Sequence, residues 1–267
     1  MPHVKRTQEE KAAVFRALHD AEAFVIPNPW DAGSARVLEA LGFQALATTS
    51  SGFAFTLGRR DGAATLDEVI EHTRALAEAT SLPISVDLEN GHGREPEDAA
   101  RAIARAAEAG AVGGSIEDYE RGGEIYGFDQ AVERVAAAVE EAGRLDFPFT
   151  LTARAENLIR GRLDLDDTIA RLQAYERAGA DVLFAPGLQN AEQIEAVCRA
   201  VSKPVNVLAR PDLTVSEIAA AGARRISVGG RLTWVAVNAM AKAAERIRDE
   251  GDFSALDVPV QVEEWLG

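Results

Sequence analysis

The sequence predicts a (β/α)8 barrel, and three observations lead to that fold class. Eight short apolar runs recur along the 267 residues, with amphipathic stretches of helical period between them. The runs are continuous rather than alternating, as expected for parallel strands buried on both faces. The dipeptide Ala-Gly closes several amphipathic stretches, where glycine can end a helix in the left-handed conformation. This number of units favours a barrel over an open doubly wound sheet, which usually has fewer strands.

The eight apolar runs are the predicted strands, and most are bounded by glycine or proline. They cover residues 24–28, 45–50, 83–88, 111–118, 147–154, 181–186, 204–209 and 225–230. Their length and continuity are typical of the buried strands of a parallel barrel.

The stretches between the strands carry helix signals. Thr65 and Glu68 form a capping box for a helix over residues 65–80, and Pro96 begins a helix over residues 96–110. Two more helices are predicted over residues 164–180 and 190–202, a leading helix over 7–21 and a long last helix over 233–250. No linker or low-complexity tract interrupts this order, so we expect one barrel domain over residues 1–267.

Composition excludes several classes of partner. The net charge of −15 disfavours nucleic acid and anionic membranes. No apolar run reaches 18 residues, and the first ten residues lack the apolar stretch of a signal peptide. The single cysteine, Cys198, cannot form an internal disulfide. We therefore expect a cytoplasmic protein.

Polar side chains cluster where the predicted strands end, which is where barrel enzymes carry their active sites. They are Thr48, Thr49, Ser50 and Ser51 after strand two, Asp87 and Glu89 after strand three, Glu117 and Asp118 after strand four, Arg154 and Glu156 after strand five, and Asn206 in strand seven. Clustered carboxylates repel one another unless a cation lies between them or one is protonated. With no cluster of His or Cys, oxygen ligands point to Mg²⁺, with Mn²⁺ as the alternative. Arg154 can then hold a substrate carboxylate in fork geometry.

The ordered motifs resemble the isocitrate lyase / phosphoenolpyruvate mutase superfamily. They are "NPWDAGSA", "SSGF", "GRRD", "VDLENGHG", "SIEDY" and "TARAEN", and the resemblance covers nearly the whole chain. It implies a Mg²⁺-dependent enzyme that makes or breaks a C–C or P–C bond beside a 2-oxo acid, with the metal stabilising the enolate.

The resemblance also implies roles for individual residues. Asp87 matches the aspartate nearest the Mg²⁺, and the metal's waters are expected on Glu89, Glu117 and Asp61. The carboxylate of the 2-oxo acid is expected on Ser51, on the backbone N–H groups of Gly52 and Phe53, and on Arg154, with Asp87 beside it. Catalytic roles are expected for Arg154 and Glu117. Apart from the resemblance, the loop after strand four offers Tyr119, Glu120, Arg121, Glu124 and Tyr126 as acid, base or clamp, and Tyr119 is predicted to be the catalytic one.

The sequence departs from the family pattern in the half of the site that defines the reaction. The loop after strand four, residues 119–130, has neither the Cys of the lyases nor the Lys and Asn of the mutase. Ala185, Pro186 and Gly187 stand where methylisocitrate lyases have a Glu, and Asn238 replaces an Arg that binds the distal carboxylate.

Three functions remain open. The first is cleavage of a C–C bond, or decarboxylation, in a small 2-oxo or 2-hydroxy dicarboxylate. The second is phosphonate chemistry, for which only Arg121 supplies positive charge on the loop. The third is 2-oxo acid binding without catalysis. The resemblance further implies a homotetramer, built as a dimer of dimers, in which the last long helix packs on a neighbouring barrel.

Overall fold

The structure, a computed structural model, describes residues 6–266, and its eight strands are all parallel. They are β1 (Phe24–Ile26), β2 (Leu46–Ala47), β3 (Ile84–Asp87), β4 (Gly113–Glu117), β5 (Thr150–Arg154), β6 (Val182–Phe184), β7 (Val205–Leu208) and β8 (Arg225–Ser227). The sheet order is β1-β8-β7-β6-β5-β4-β3-β2. Among the described residues β1 and β2 share no ladder, but the Ala47 N–H donates to the Pro27 carbonyl at 3.0 Å and nearly closes the barrel. The predicted fold class is confirmed.

Helices follow the strands around the outside. They are α1 (Gln8–Asp20), α2 (Ala32–Ala40), α3 (Ser50–Thr56), α4 (Leu66–Ala79), α5 (Pro96–Glu108), α6 (Phe128–Ala142), α7 (Leu165–Ala178), α8 (Ala191–Ala200), α9 (Val215–Ala220), α10 (Arg231–Glu250) and α11 (Val262–Leu266). A 3-10 turn covers Ser254–Leu256. The six helices predicted individually are present with ends within two residues.

The strands are shorter than predicted, most clearly at the start of β5, which begins at 150 and not 147, and at the end of β8, which ends at 227 and not 230. Two further differences lie near the strand ends that form the site. Strand two was expected to reach residue 50, but Ser50 already begins α3 because the Thr49 side chain caps that helix. The loop after strand four is also shorter than expected, since α6 starts at Phe128. Tyr119 and Ile125 pair across this loop in an antiparallel bridge, so the loop is a small hairpin.

The helix signals in the sequence act as expected. The capping box of Thr65 and Glu68 is formed, and Pro96 occupies the first turn of α5. Glycines end helices with positive φ before four strands, at Gly42 (87°), Gly110 (98°), Gly179 (106°) and Gly222 (104°). These glycines let each helix end abruptly and return the chain to the barrel.

Gly110→Ala should destabilise the protein more than Gly42→Ala. Both glycines have positive φ, so each alanine adds about 1–2 kcal/mol of backbone strain. A Cβ on Gly110 would also lie 2.9 Å from the Ala77 Cβ, whereas nothing lies within 4 Å at Gly42. Urea unfolding of both variants measures the difference, and equal losses would contradict the packing argument.

The main apolar core lies between the barrel and its helices. It includes Leu172 of α7, Leu183 of β6, Ile194 of α8 and Val207 of β7. The N-terminal end of the barrel is filled by Phe15 of α1, which leaves no space for a side chain at Gly113. The opposite end stays open for a site.

Inside the barrel the middle layer is polar rather than aliphatic. The buried polar side chains there are Ser85, Thr152, Asn206 and Ser227, and the half-buried Ser115 lies beside them. The polar surface at the C-terminal ends of the strands therefore extends into the interior of the barrel.

The last long helix, α10, exposes apolar side chains. Trp234, Val235 and Met240 are 44%, 66% and 63% exposed. The exchange of this helix between subunits stays a prediction. No helix within the described residues is both long enough and apolar enough to cross a membrane.

Candidate active site

The predicted carboxylates lie around the C-terminal mouth of the barrel, and Asp87 is held in place by backbone groups. The Ser50 N–H donates to Asp87 Oδ2 at 3.2 Å, and the Glu89 N–H donates to Oδ1 at 3.2 Å. The Asp87 N–H in turn donates to Thr48 Oγ1 at 2.8 Å. Strand ends β2 and β3 therefore fix the Asp87 carboxylate before any ligand binds.

Two adjoining cavities open at this mouth. The inner cavity, about 200 Å³, runs from Ser51, Asp87 and Arg154 down toward the middle layer of the barrel. The outer cavity, about 230 Å³, is lined by Glu89, Glu117 and Tyr119. Both cavities are lined by Ser50, Asp61 and Arg154. The residues predicted to bind the substrate carboxylate and those predicted to bind the metal thus line adjoining cavities.

Arg154 stands between the two cavities with its terminal nitrogens available. The only hydrogen bond of its guanidinium in the described part of the chain runs from Nε to Glu156 Oε1. Nη1 lies 3.3 Å from Glu117 Oε2 and 4.0 Å from Asp87 Oδ1. Burial acts to lower the pKa of Arg154, but the carboxylates of Glu117, Glu156 and Asp87 outweigh it and raise the pKa. A permanent cation whose terminal nitrogens make no hydrogen bond within the described residues can bind a ligand carboxylate.

Glu89 and Glu117 are carboxylates in an unfavourable environment. Burial, to which the nearby Asp87 adds and which Arg121 opposes, raises the pKa of Glu89 to about 7. Burial also raises the pKa of Glu117 well above its usual range, against the opposing effect of Arg154. Glu89 has a φ of 50°, which turns the chain sharply after β3.

The donor set fits a hydrated divalent cation. Five carboxylates, Asp61, Asp87, Glu89, Glu117 and Glu156, surround the mouth together with three guanidinium groups, those of Arg121, Arg154 and Arg160. Burial is the main cause of the raised pKa of both glutamates, and a divalent cation would favour their charged forms against it. Within residues 6–266 no three His, Cys, Asp or Glu side chains converge as a ready cage. Few direct ligands suit Mg²⁺, which keeps several waters.

The sequence-predicted residues of the α3 turn are not all at the cavity. Ser51 lines the inner cavity, but Gly52 and Phe53 line neither cavity. The Gly52 N–H donates to Thr49 Oγ1 at 3.3 Å, and the Phe53 N–H donates to the Thr49 carbonyl at 3.0 Å. Gly52 instead serves close packing, because a Cβ there would lie 2.7 Å from Thr233 Oγ1. Ligand binding by these two N–H groups stays a prediction.

The hairpin after β4 is tied to the site by arginines. Arg121 Nη2 lies 3.2 Å from both carboxylate oxygens of Glu89. The Arg160 guanidinium lies 3.7 Å from the centre of the Tyr119 ring, and its Nε donates to Glu156 Oε2 at 2.7 Å. Tyr119 is therefore held over the outer cavity.

Sequence reasoning missed three residues of the site. Arg160 follows the "TARAEN" motif by three residues and gives no signal of its own. Asn28 lines the inner cavity, where its Oδ1 accepts the N–H groups of Val228 and Gly229, each at 2.9 Å. Arg225 lies inside the barrel, although an arginine at a strand start suggests a surface position. His92, three residues after Glu89, lines a separate surface pocket with Arg94 and Arg101.

Comparison with known proteins gives one family. The sequence profile described as phosphoenolpyruvate phosphomutase matches residues 15–248. A probable 2-methylisocitrate lyase 2 from Corynebacterium glutamicum is 34% identical over 206 residues, which are 74% of this chain and 66% of that protein. The chain thus spans just under two thirds of that relative's length. An oxaloacetate decarboxylase from Paraburkholderia xenovorans is 32% identical over 250 residues, 89% of this chain and 81% of that protein.

Solved structures agree with this grouping. A Burkholderia cenocepacia J2315 protein described provisionally as a lyase/mutase superposes with a TM-score of 0.93 at 51% identity, covering 97% of this chain and 96% of that one. Phosphonopyruvate hydrolase in complex with oxalate and Mg²⁺ superposes with a TM-score of 0.85 at 25% identity, covering 97% and 93%.

Proposed function

Because the chain belongs to the phosphoenolpyruvate phosphomutase family, we propose that it is a carbon–carbon lyase or decarboxylase acting on a small 2-oxo or 2-hydroxy dicarboxylic acid. The observation that carries the proposal is the position of Arg154, a largely buried cation between two cavities. Within the described residues its terminal nitrogens make no hydrogen bond, and Nη1 forms an ion pair with Glu117 at 3.3 Å. Relatives named oxaloacetate decarboxylase and 2-methylisocitrate lyase support this reaction class.

The residues of this chain divide the work between the two cavities. Arg154 and Ser51 orient the substrate carboxylate, while the fixed Asp87 faces the same space. Glu89, Glu117 and Asp61 line the outer cavity and would hold the waters of a metal ion, with Asp87, at the adjoining inner cavity, nearest the ion. Mg²⁺, with Mn²⁺ as the alternative, would stabilise negative charge on the substrate oxygens when the bond next to the carbonyl breaks. Tyr119 and Glu117, at the wall of the outer cavity, are the candidates for moving a proton to the product.

Phosphonate chemistry is the weaker candidate. It needs a cationic clamp on the hairpin, and Arg121, which lies there, is already paired with Glu89 at 3.2 Å. A binding protein without catalysis is the remaining alternative, and turnover that depends on Asp87 would exclude it.

The proposal extends to location and assembly. A single cysteine suits the cytoplasm. The exposed Trp234, Val235 and Met240 suit a homotetramer in which α10 packs on another copy, and a molar mass measured by light scattering tests that assembly.

The first experiment is calorimetric titration with oxalate, a planar dianion that mimics a 2-oxo acid enolate. The intact protein should bind oxalate at least about tenfold more tightly with Mg²⁺ than with EDTA. Asp87→Asn should remove this Mg²⁺ effect, because the amide removes the carboxylate charge at the metal position. Asp129→Asn, on the outer surface of α6, is the control and should behave like the intact protein. Oxalate binding that ignores Mg²⁺ in the intact protein would overturn the proposed site.

A further inference from the structure

Arg225 is a buried arginine without an acidic partner. It starts β8, is 5% exposed, and lines the floor of the inner cavity. Arg171, also buried, has a carboxylate at 3.0 Å, and the half-buried Arg154 has one at 3.3 Å. Within the described residues no carboxylate lies within 4.0 Å of Arg225. The buried Arg134 of α6 has no carboxylate partner among the described residues either, but its terminal nitrogens donate to three backbone carbonyls and it lines neither cavity. An unpaired buried charge is costly, so a partner from outside the chain is expected.

The hydrogen bonds of Arg225 leave donors over. Nε donates to Asn206 Oδ1 at 2.9 Å, and Nη2 donates to Thr152 Oγ1 at 2.9 Å. Nη1 lies 3.4 Å from His19 Nε2. A guanidinium carries five N–H groups, so one N–H remains on each terminal nitrogen.

The contact with His19 adds no negative charge. His19 Nδ1 lies 2.8 Å from the Phe15 carbonyl, so Nδ1 carries the proton and Nε2 accepts from Arg225. Burial, together with the charge of Arg225, lowers the pKa of His19 to about 3. The histidine is therefore neutral, and the positive charge of Arg225 is left uncompensated.

The depth of Arg225 matches a short substrate. Thr152, which accepts from Arg225, lies two residues before Arg154 on β5. Arg225 therefore contacts β5 one inward-facing position deeper in the barrel than Arg154. Two residues of a strand span roughly 7 Å. This distance between the two arginine levels suits a short dicarboxylic acid with one carboxylate at each arginine. Asn206 and Ser227 line the same floor and are joined by a hydrogen bond of 3.0 Å.

We propose that Arg225 binds the second anionic group of the substrate, so that the substrate lies along the barrel axis with its distal carboxylate on the cavity floor. This inference rests on the proposed function for the first carboxylate, at Arg154. It explains how the chain can select dicarboxylates although Asn238 carries no charge on α10.

The test compares two ligands that differ only in the distal group. Malate ends in a carboxylate, and 2-hydroxy-4-methylpentanoate has an uncharged isopropyl group of similar branching in its place. Each is titrated calorimetrically, with Mg²⁺ present, into the intact protein, Arg225→Met and Arg210→Met. Arg210 is the charge-matched control, since it pairs with Asp212 and lines neither cavity.

The intact protein and Arg210→Met should bind malate at least about tenfold more tightly than the isopropyl analogue. Arg225→Met should lose that preference while binding oxalate within about twofold of the intact protein. An equal affinity of the intact protein for both ligands, or a preference that survives in Arg225→Met, overturns the inference. Loss of Mg²⁺-dependent oxalate binding in the intact protein marks failure of the proposed function instead.

If Arg225→Met does not fold, two measurements still test the inference. The first is the preference of the intact protein for malate over the isopropyl analogue, which needs no variant. Arg225→Lys keeps the charge but loses the planar fork, so malate should bind more weakly by about fivefold or more while oxalate is unaffected. Unchanged malate binding in Arg225→Lys would count against a guanidinium site.

Discussion

Arg154→Met should weaken oxalate binding by roughly 30-fold to several thousand-fold, which corresponds to about 2–5 kcal/mol for truncating a buried charged partner. The side chain of Arg154 is only 16% exposed and lies 3.3 Å from Glu117. Methionine fills similar volume but supplies no positive charge or N–H donor. The remaining carboxylates would then repel the incoming dianion. Calorimetric titration with Mg²⁺ present measures the change.

The control for Arg154 is a second arginine of the same mouth. Arg160 is more exposed, at 37%, and its Nε is taken by Glu156 at 2.7 Å. Arg160→Met should therefore weaken oxalate binding by less than about tenfold. Arg154→Lys should fall between the intact protein and Arg154→Met, because it keeps charge without the fork. If Arg154→Met binds oxalate normally, the carboxylate position is wrong.

Arg171→Met should lower the free energy of unfolding by about 3–5 kcal/mol, because it leaves a buried carboxylate without its cation. Arg171 and Asp118 are 3% and 2% exposed and lie 3.0 Å apart. Asp118 also accepts from the Tyr175 hydroxyl at 2.6 Å and from the Glu156 N–H at 2.8 Å. The network joins β4 and the chain after β5 to α7. Urea unfolding monitored by circular dichroism measures the loss.

Two comparisons show whether burial is the reason. Arg199 forms an ion pair with Glu195 on the surface of α8, where its side chain is 78% exposed. Arg199→Met should unfold at the same urea concentration as the intact protein. Arg171→Met combined with Asp118→Asn should lose less than the sum of the single losses, because the second change removes the stranded charge. Strict additivity would argue against a coupled pair.

Most of the fold was predictable because the chain repeats one local pattern. Strand runs, capping residues such as Thr65 and glycines such as Gly110 act within a few residues, so the sequence reports them directly. The error at Ser50 has the same origin, since an apolar-flanked "TTSS" looks like strand although Thr49 caps a helix there. Short helices such as α9 were not predicted individually, because six residues hold less than two helical turns.

The candidate site was predictable only in part. The barrel rule identified Asp87, Glu117 and Arg154, because strand ends converge in any closed parallel barrel. Which side chains pair with these three residues depends on tertiary contacts, which the sequence does not report. Arg154 is gripped by Glu156, whereas Arg121 of the hairpin reaches Glu89 across the mouth.

The sequence by itself determined the barrel, its family and the acids at the strand ends, since each follows from local period or an ordered motif. Only the tertiary structure decided which polar side chains face one another inside the closed barrel. Arg225 shows the reason. It is 206 residues from His19 and 73 from Thr152, and barrel closure brings these three side chains together on one buried floor.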